Sequence, residues 1–122
     1  MNERTTLTVE ERPGGLKVLH IHGDLDTMGT QMVRDELVTA ITVSDTTKNV
    51  LIDLDDVSFI SSAGMALLLV SGKRLRRDGI DLILAAVDGR IFEVLSLAGF
   101  QELFNVYKTI EEAMSSLKKD SP

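Results

Sequence analysis

The chain has 122 residues, 43% of them apolar and 26% charged, close to ordinary globular usage; this predicts one packed domain, with a core over about residues 5–117, and argues against wholesale disorder. Thirteen Lys and Arg against nineteen Asp and Glu leave a net charge of −6, which disfavours nucleic acid or an anionic membrane as partner. There is no Cys, no Trp and only two His, His20 and His22, so thiol catalysis, disulfides and Cys-based zinc sites are excluded and stacking platforms are poorly supplied.

The first residues carry no apolar signal segment, and the longest charge-free run, 57–72, contains Ser58, Ser61, Ser62, Gly64 and Ser71. It is too short and too polar to span a bilayer, so the expected location is cytoplasmic. In chain order, residues 6–11 and 16–22 read as a β-hairpin around Pro13-Gly14-Gly15. From Met28 onward Val33, Leu37, Ala40 and Ile41 recur at helical spacing to about Val43, followed by a polar loop at 44–47. Residues 49–54 carry Val50-Leu51-Ile52, the pattern of a strand covered on both faces. After Ser61-Ser62, residues 63–70 are apolar all round, which predicts a largely buried helix that turns cationic at Lys73, Arg74, Arg76 and Arg77.

A second buried strand is expected at 81–87, then a helix capped by Asp88 with Ile91, Val94, Leu95 and Ala98 in one stripe and Gly99 beyond its end. Val106-Tyr107 suggests a short last strand. Thr109 and Glu112 form a capping-box pattern ahead of the stripe Ile110, Ala113, Met114 and Leu117, and residues 118–122 read as a frayed tail. Strands alternating with helices predict an α/β fold, a four- to five-stranded mixed sheet covered by about four helices.

Phosphate-binding glycine loops, dinucleotide fingerprints and nucleophile elbows are all missing from the sequence. Two segments carry chemistry. In Gly23-Asp24-Leu25-Asp26, two carboxylates could act as acid and base or as half of a Mg²⁺ site, but Asp26 or Thr27 capping the first helix explains the spacing more economically. In residues 53–64, a strand runs through Asp55 and Asp56 into Ser61-Ser62 at a helix start. Serine there serves as an N-cap; a hydroxyl at such an exposed junction is also open to a kinase, whose phosphate would bring about −2 charge.

Together these segments resemble the STAS domain of bacterial anti-sigma factor antagonists. Gly23-Asp24-Leu25-Asp26 matches the family's Gly-Glu-Leu/Ile-Asp, and residues 56–65, Asp-Val-Ser-Phe-Ile-Ser-Ser-Ala-Gly-Met, match its phosphorylation loop. Leu95-Ser96-Leu97-Ala98-Gly99-Phe100 fits the end of its third helix. The resemblance implies a STAS fold, no catalysis and no cofactor. It places the phosphoacceptor at Ser62, with Ser61 as fallback, and a partner surface at Asp24, Asp26, Ser61, Ser62, Ala63, Gly64 and Met65, Asp26 being preferred over Asp24. Ser61 stands where the family has Asp, Ala63 where it has Ser or Thr, and Met65 where it has Leu.

The implied partners are an anti-sigma factor that is itself a serine kinase of the histidine-kinase-like ATPase class, and a PP2C-type phosphatase. The resemblance leaves oligomeric state open. Two alternatives stand beside it: a STAS subunit of a stress-signalling scaffold or lipid-transport complex, and a small Ser- or Mg²⁺-dependent hydrolase using Asp24 and Asp26. The basic cluster at 73–77 reads as a solvated helix end.

Overall fold

The computed structural model describes residues 4–42, 46–85 and 89–119, and the hairpin expected around Pro13 opens it. Strands β1 (Thr6–Arg12) and β2 (Leu16–His22) pair antiparallel from Thr6 opposite His22 to Arg12 opposite Leu16. Gly14 and Gly15 turn between them at φ 87° and 78°, a left-handed conformation open to glycine at little cost.

Helix α1 (Thr27–Ala40) leads to β3 (Asn49–Asp56), and α2 (Ser62–Arg77) to β4 (Asp81–Ala85). Helices α3 (Gly89–Leu97) and α4 (Phe100–Leu103) then precede β5 (Asn105–Val106) and α5 (Ile110–Lys119). The strands lie in the order β1-β2-β3-β4-β5, with every pair after the hairpin parallel. Each parallel connection therefore steps one strand in the same direction, and right-handed crossovers put the connecting helices on one face.

The core follows that geometry. Leu19, Ile52 and Leu84 point toward Val33, Leu37, Leu68, Leu75, Ile91 and Leu95 in one cluster. Their neighbours Val18, Leu51 and Ile83 point the other way and meet Ala113, with Ile110 and Leu117 of α5 alongside. Period-two alternation between two covered faces makes these strands read as continuous apolar runs. Each fully buried Leu or Ile contributes about 1.5–3 kcal/mol of transfer free energy.

The sheet has five strands, within the expected four to five, and five helices are described rather than about four; the extra one is the four-residue α4, too short for periodicity to reveal. Strand β3 continues two residues past Leu54, because its pairing with β2 resumes beyond an irregularity, at His22 opposite Asp56. The last strand starts one residue before Val106. Helix α1 ends at Ala40 and β4 at Ala85; Val43, the Ser44-Asp45 part of the polar loop, and residues 86–88 with the expected cap Asp88 lie outside the described residues. Helix α5 continues through Lys119 where a frayed tail was expected from 118, and 120–122 are not described.

Helix α2 is not buried all round. Leu67, Leu68, Ser71, Gly72 and Leu75 face inward, while Ala66 is exposed and Val70 is 63% exposed. A helix laid on one sheet face has one covered side, and α2 carries more apolar residues than that side accepts. Among the described residues no helix is long and apolar enough to cross a membrane.

Candidate functional site

The residues singled out in the sequence meet at the carboxyl ends of β2 and β3, the edge where open α/β sheets present their loops. Loop 23–26 joins β2 to α1 and loop 57–61 joins β3 to α2. Leu25 N–H donates to the Phe59 carbonyl at 2.9 Å, and Ser61 N–H donates to the Leu25 carbonyl at 2.8 Å. Leu25 and Ile60 form an isolated parallel bridge. Buried Leu25, Val57 and Ile60, at 0%, 1% and 6% exposure, anchor both loops, so the polar residues between them are displayed from a fixed base.

The two serines have different surroundings. Ser61 is the N-cap of α2: its Oγ accepts the Gly64 N–H at 3.2 Å and donates to the Leu25 carbonyl at 2.9 Å. Its donor and an acceptor site are both engaged. Ser62 is the first helical residue, exposed, and its Oγ has no partner among the described residues. Ala63 and Met65 are half-buried, and Gly64 is buried. A Cβ on Gly64 would lie 2.7 Å from the Leu25 carbonyl oxygen and 2.9 Å from Ile60 Cγ1, so the glycine of the loop motif lets α2 start hard against loop 23–26.

Asp24 and Asp26 are both exposed, and each is held by a backbone N–H. Asp26 Oδ1 accepts the Gly29 N–H at 2.7 Å as the N-cap of α1. Asp24 Oδ1 accepts the Ser58 N–H at 3.1 Å, a fourth hydrogen bond between the loops. The capping explanation of the pair thus applies to Asp26, and Asp24 works across the junction. Asp55 and Asp56 are exposed beside them, as are Met28 and Phe59, 61% and 52% exposed. Among the described residues no group of three or more His, Asp or Glu is arranged to hold a metal ion.

Just behind this edge, on the sheet face away from α1, lies an arrangement the sequence reading missed. His20 Nδ1 lies 2.7 Å from Asp53 Oδ2, and its Nε2 lies 3.0 Å from Glu10 Oε1. Two ring nitrogens between two carboxylates are both donors when the imidazole is charged. The hydrogen bond to Glu10 raises the His20 pKa above its ordinary value most strongly; Asp53 adds to this, and partial burial opposes it. Glu10 is lowered in turn, by the His20 hydrogen bond first and Arg12 second. His22 stacks on His20 at 6.4 Å and approaches Asp56 at 3.4 Å. The signal was available in part: both His lie on one side of β2, but their carboxylates sit on β1 and β3, and only strand register brings them together.

A mixed sheet of this order, with two knitted loops presenting a serine at a helix start, is a single α/β module, and the profile of the STAS domain matches residues 7–113. The chain belongs to the STAS domain family. It is 28% identical over 108 residues to BtrV of Bordetella bronchiseptica, assigned to the anti-sigma factor antagonists, covering 88% of this chain and 91% of that protein. The crystal structure of an anti-sigma factor antagonist from Mycobacterium paratuberculosis superposes with a TM-score of 0.75 at 22% identity, covering 93% and 94% of the two chains. SpoIIAA, an anti-sigma factor antagonist, superposes in its unphosphorylated form with a TM-score of 0.69 at 20% identity, covering 95% of this chain and all of that one. The phosphorylated form of SpoIIAA from Bacillus gives 0.67 at 21%, covering 92% and 99%.

Proposed function

We propose that the chain is a non-catalytic anti-sigma factor antagonist switched at Ser62. Unphosphorylated, it binds an anti-sigma factor that is also a serine kinase of the histidine-kinase-like ATPase class, and so frees the sigma factor. Phosphorylation of Ser62 releases it, and a PP2C-type phosphatase restores it. The observation that carries this reading is the contrast between the serines: Ser61 Oγ is spent on Leu25 and Gly64, whereas Ser62 Oγ is exposed and unpartnered among the described residues. A kinase can therefore reach Ser62 without dismantling a cap, which makes Ser61 the weaker acceptor.

In this reading Asp24, Asp26, Ser61, Ser62, Ala63 and Met65 form the docking surface, and buried Gly64 sets its shape by allowing close approach of α2 to loop 23–26. A phosphate arriving inside that surface leaves charge desolvated or beside Asp24, Asp26, Asp55 and Asp56. Disrupting a buried polar contact of this kind costs about 2–5 kcal/mol, or roughly 30-fold to a few thousand-fold in affinity. ATP and Mg²⁺ belong to the kinase.

The test is mass spectrometry after incubation with the cognate kinase and ATP, together with binding of Ser62→Ala and Ser62→Asp to that kinase. Modification at Ser62 and selective loss of binding in Ser62→Asp are expected. An unmodified Ser62, or equal binding by both variants, would overturn the proposal.

A further inference from the structure

We propose that the open edge of β1, with the groove it forms against α1, is a docking site for an extended cationic segment of a partner protein, which adds to the sheet as a sixth strand. This is independent of the Ser62 reading, because among the described residues β1 pairs only with β2, and it carries none of the switch residues.

Three observations converge on it. The first is the edge itself. β1 pairs with β2 through seven consecutive residues without a register shift and contains neither Pro nor Lys. Exposed edges are ordinarily blunted by such residues or by other charged side chains, and a stretch free of them is a template for strand addition. The charged residues Glu10, Glu11 and Arg12 are confined to its second half; the first half is Thr6, Leu7, Thr8 and Val9. The second is apolar surface in the right place. Val9 is 48% exposed and lines a groove of about 380 Å³ with Leu7, Ala40, Thr39, Asp35 and Glu36. A strand laid along β1 would place every second side chain in this groove.

The third is charge. Asp35 and Glu36 are exposed at the groove, and Glu11 lies on the same face of β1. Two cations near the groove are already committed: Lys17, opposite Glu11, donates to the Ala40 carbonyl at 2.9 Å, and Arg12 pairs with Glu10 at 2.8 Å. A second copy of the chain is the wrong occupant. Pairing β1 with itself about Val9 would bring the Asp35 and Glu36 rim against its own symmetry mate, and like charges facing one another across a contact oppose it. A segment alternating apolar and basic residues satisfies both groove and rim.

The probe is a blocked heptapeptide, Lys-Thr-Val-Lys-Val-Thr-Lys, which places Lys, Val, Val and Lys on one strand face in either direction. Its control replaces both Val by Pro, keeping the charge and abolishing strand pairing. Titration into the isotope-labelled chain should shift and protect β1 amides, with shifts extending to the second half of α1. Val9→Lys and Glu36→Lys should each weaken binding by about tenfold, while their melting curves match the parent because both positions are exposed. Equal binding of the Pro control, insensitivity to Val9→Lys, or shifts centred elsewhere would each overturn the proposal. So would a dimer in sedimentation equilibrium that Val9→Lys dissociates, since the second copy would then own the edge. None of these outcomes bears on phosphorylation at Ser62.

Discussion

The sharpest test of the site is to separate its two serines by stability. Ser61→Ala removes the acceptor for the Gly64 N–H, and loss of a serine N-cap costs about 0.5–2 kcal/mol. It also removes the Oγ donor to the Leu25 carbonyl, but that oxygen keeps the Ser61 N–H at 2.8 Å, so the second loss is only a fraction of the ~1 kcal/mol of a typical hydrogen bond. The sum is about 1–2 kcal/mol, which for a chain of this size lowers Tm by about 4–10 °C. Ser62→Ala deletes an exposed hydroxyl without a partner among the described residues and should stay within about 0.5 kcal/mol of the parent. Ser61→Asp should recover most of the loss, since aspartate caps helices as well as serine. Thermal and urea unfolding followed by circular dichroism reads all three. Equal destabilisation by the two alanines, a neutral Ser61→Ala, or no recovery with Ser61→Asp would refute the assignment of cap and free hydroxyl.

Other positions give independent checks. Because the folded-state pKa of His20 is raised, its stabilisation is fully present below the unfolded value near 6.5 and is lost as pH rises through the higher folded value. Urea unfolding should therefore show the parent ahead of His20→Gln at about pH 6 and the difference shrinking by about pH 9; a pH-independent difference would contradict the charged bridge between Glu10 and Asp53. Gly72→Ala sets helix propensity against packing, since the new Cβ would land on the Phe104 ring and 3.0 Å from Leu82 Cδ2. Overpacking of about 1–3 kcal/mol should outweigh the ~1 kcal/mol that alanine gains in a helix, and denaturant midpoints decide it. Thr30 is fully buried with its Oγ1 unpaired among the described residues; Thr30→Val should raise stability by about 1 kcal/mol in the same assay.

Legibility in the sequence followed the range of the interactions. The strands announced themselves because Leu51-Ile52 and Ile83-Leu84 are apolar on both faces, a pattern set by two layers of helices. The α5 stripe was legible for the same reason, as its Ala113 packs on Val18 and Ile83. Whether α2 was buried all round was not legible: composition reports how apolar a helix is, and only the sheet decides which side is covered, leaving Val70 outside. At the site, capping by Asp26 was readable from spacing, being a bond over three residues. The bond from Ser58 to Asp24 spans thirty-four residues, and the His20 bridge to Asp53 spans thirty-three. Both depend on the parallel register of β2 and β3, which no local pattern encodes.

The same register explains why two adjacent serines have separate surroundings. The Leu25 carbonyl receives both the N–H and the Oγ of Ser61, so one residue closes α2 and ties it to loop 23–26. The family pattern that the sequence resembles has Asp at the Ser61 position, and an aspartate cap could make the Gly64 contact while lacking the hydroxyl that donates to Leu25. Substituting serine there retains the cap and adds a tether. Ser62, one residue on, contributes nothing to that closure, and under the proposed function it would accept a phosphate without losing a bond. The first-turn N–H groups of α2 favour the added charge locally by about 0.3–1 kcal/mol, so phosphorylation at this position would leave the fold close to its unmodified stability. Under the proposed function its consequence would fall on the partner that docks against Asp24, Asp26 and Ser62, and a phosphomimetic that unfolded the chain instead would break this division between anchor and switch.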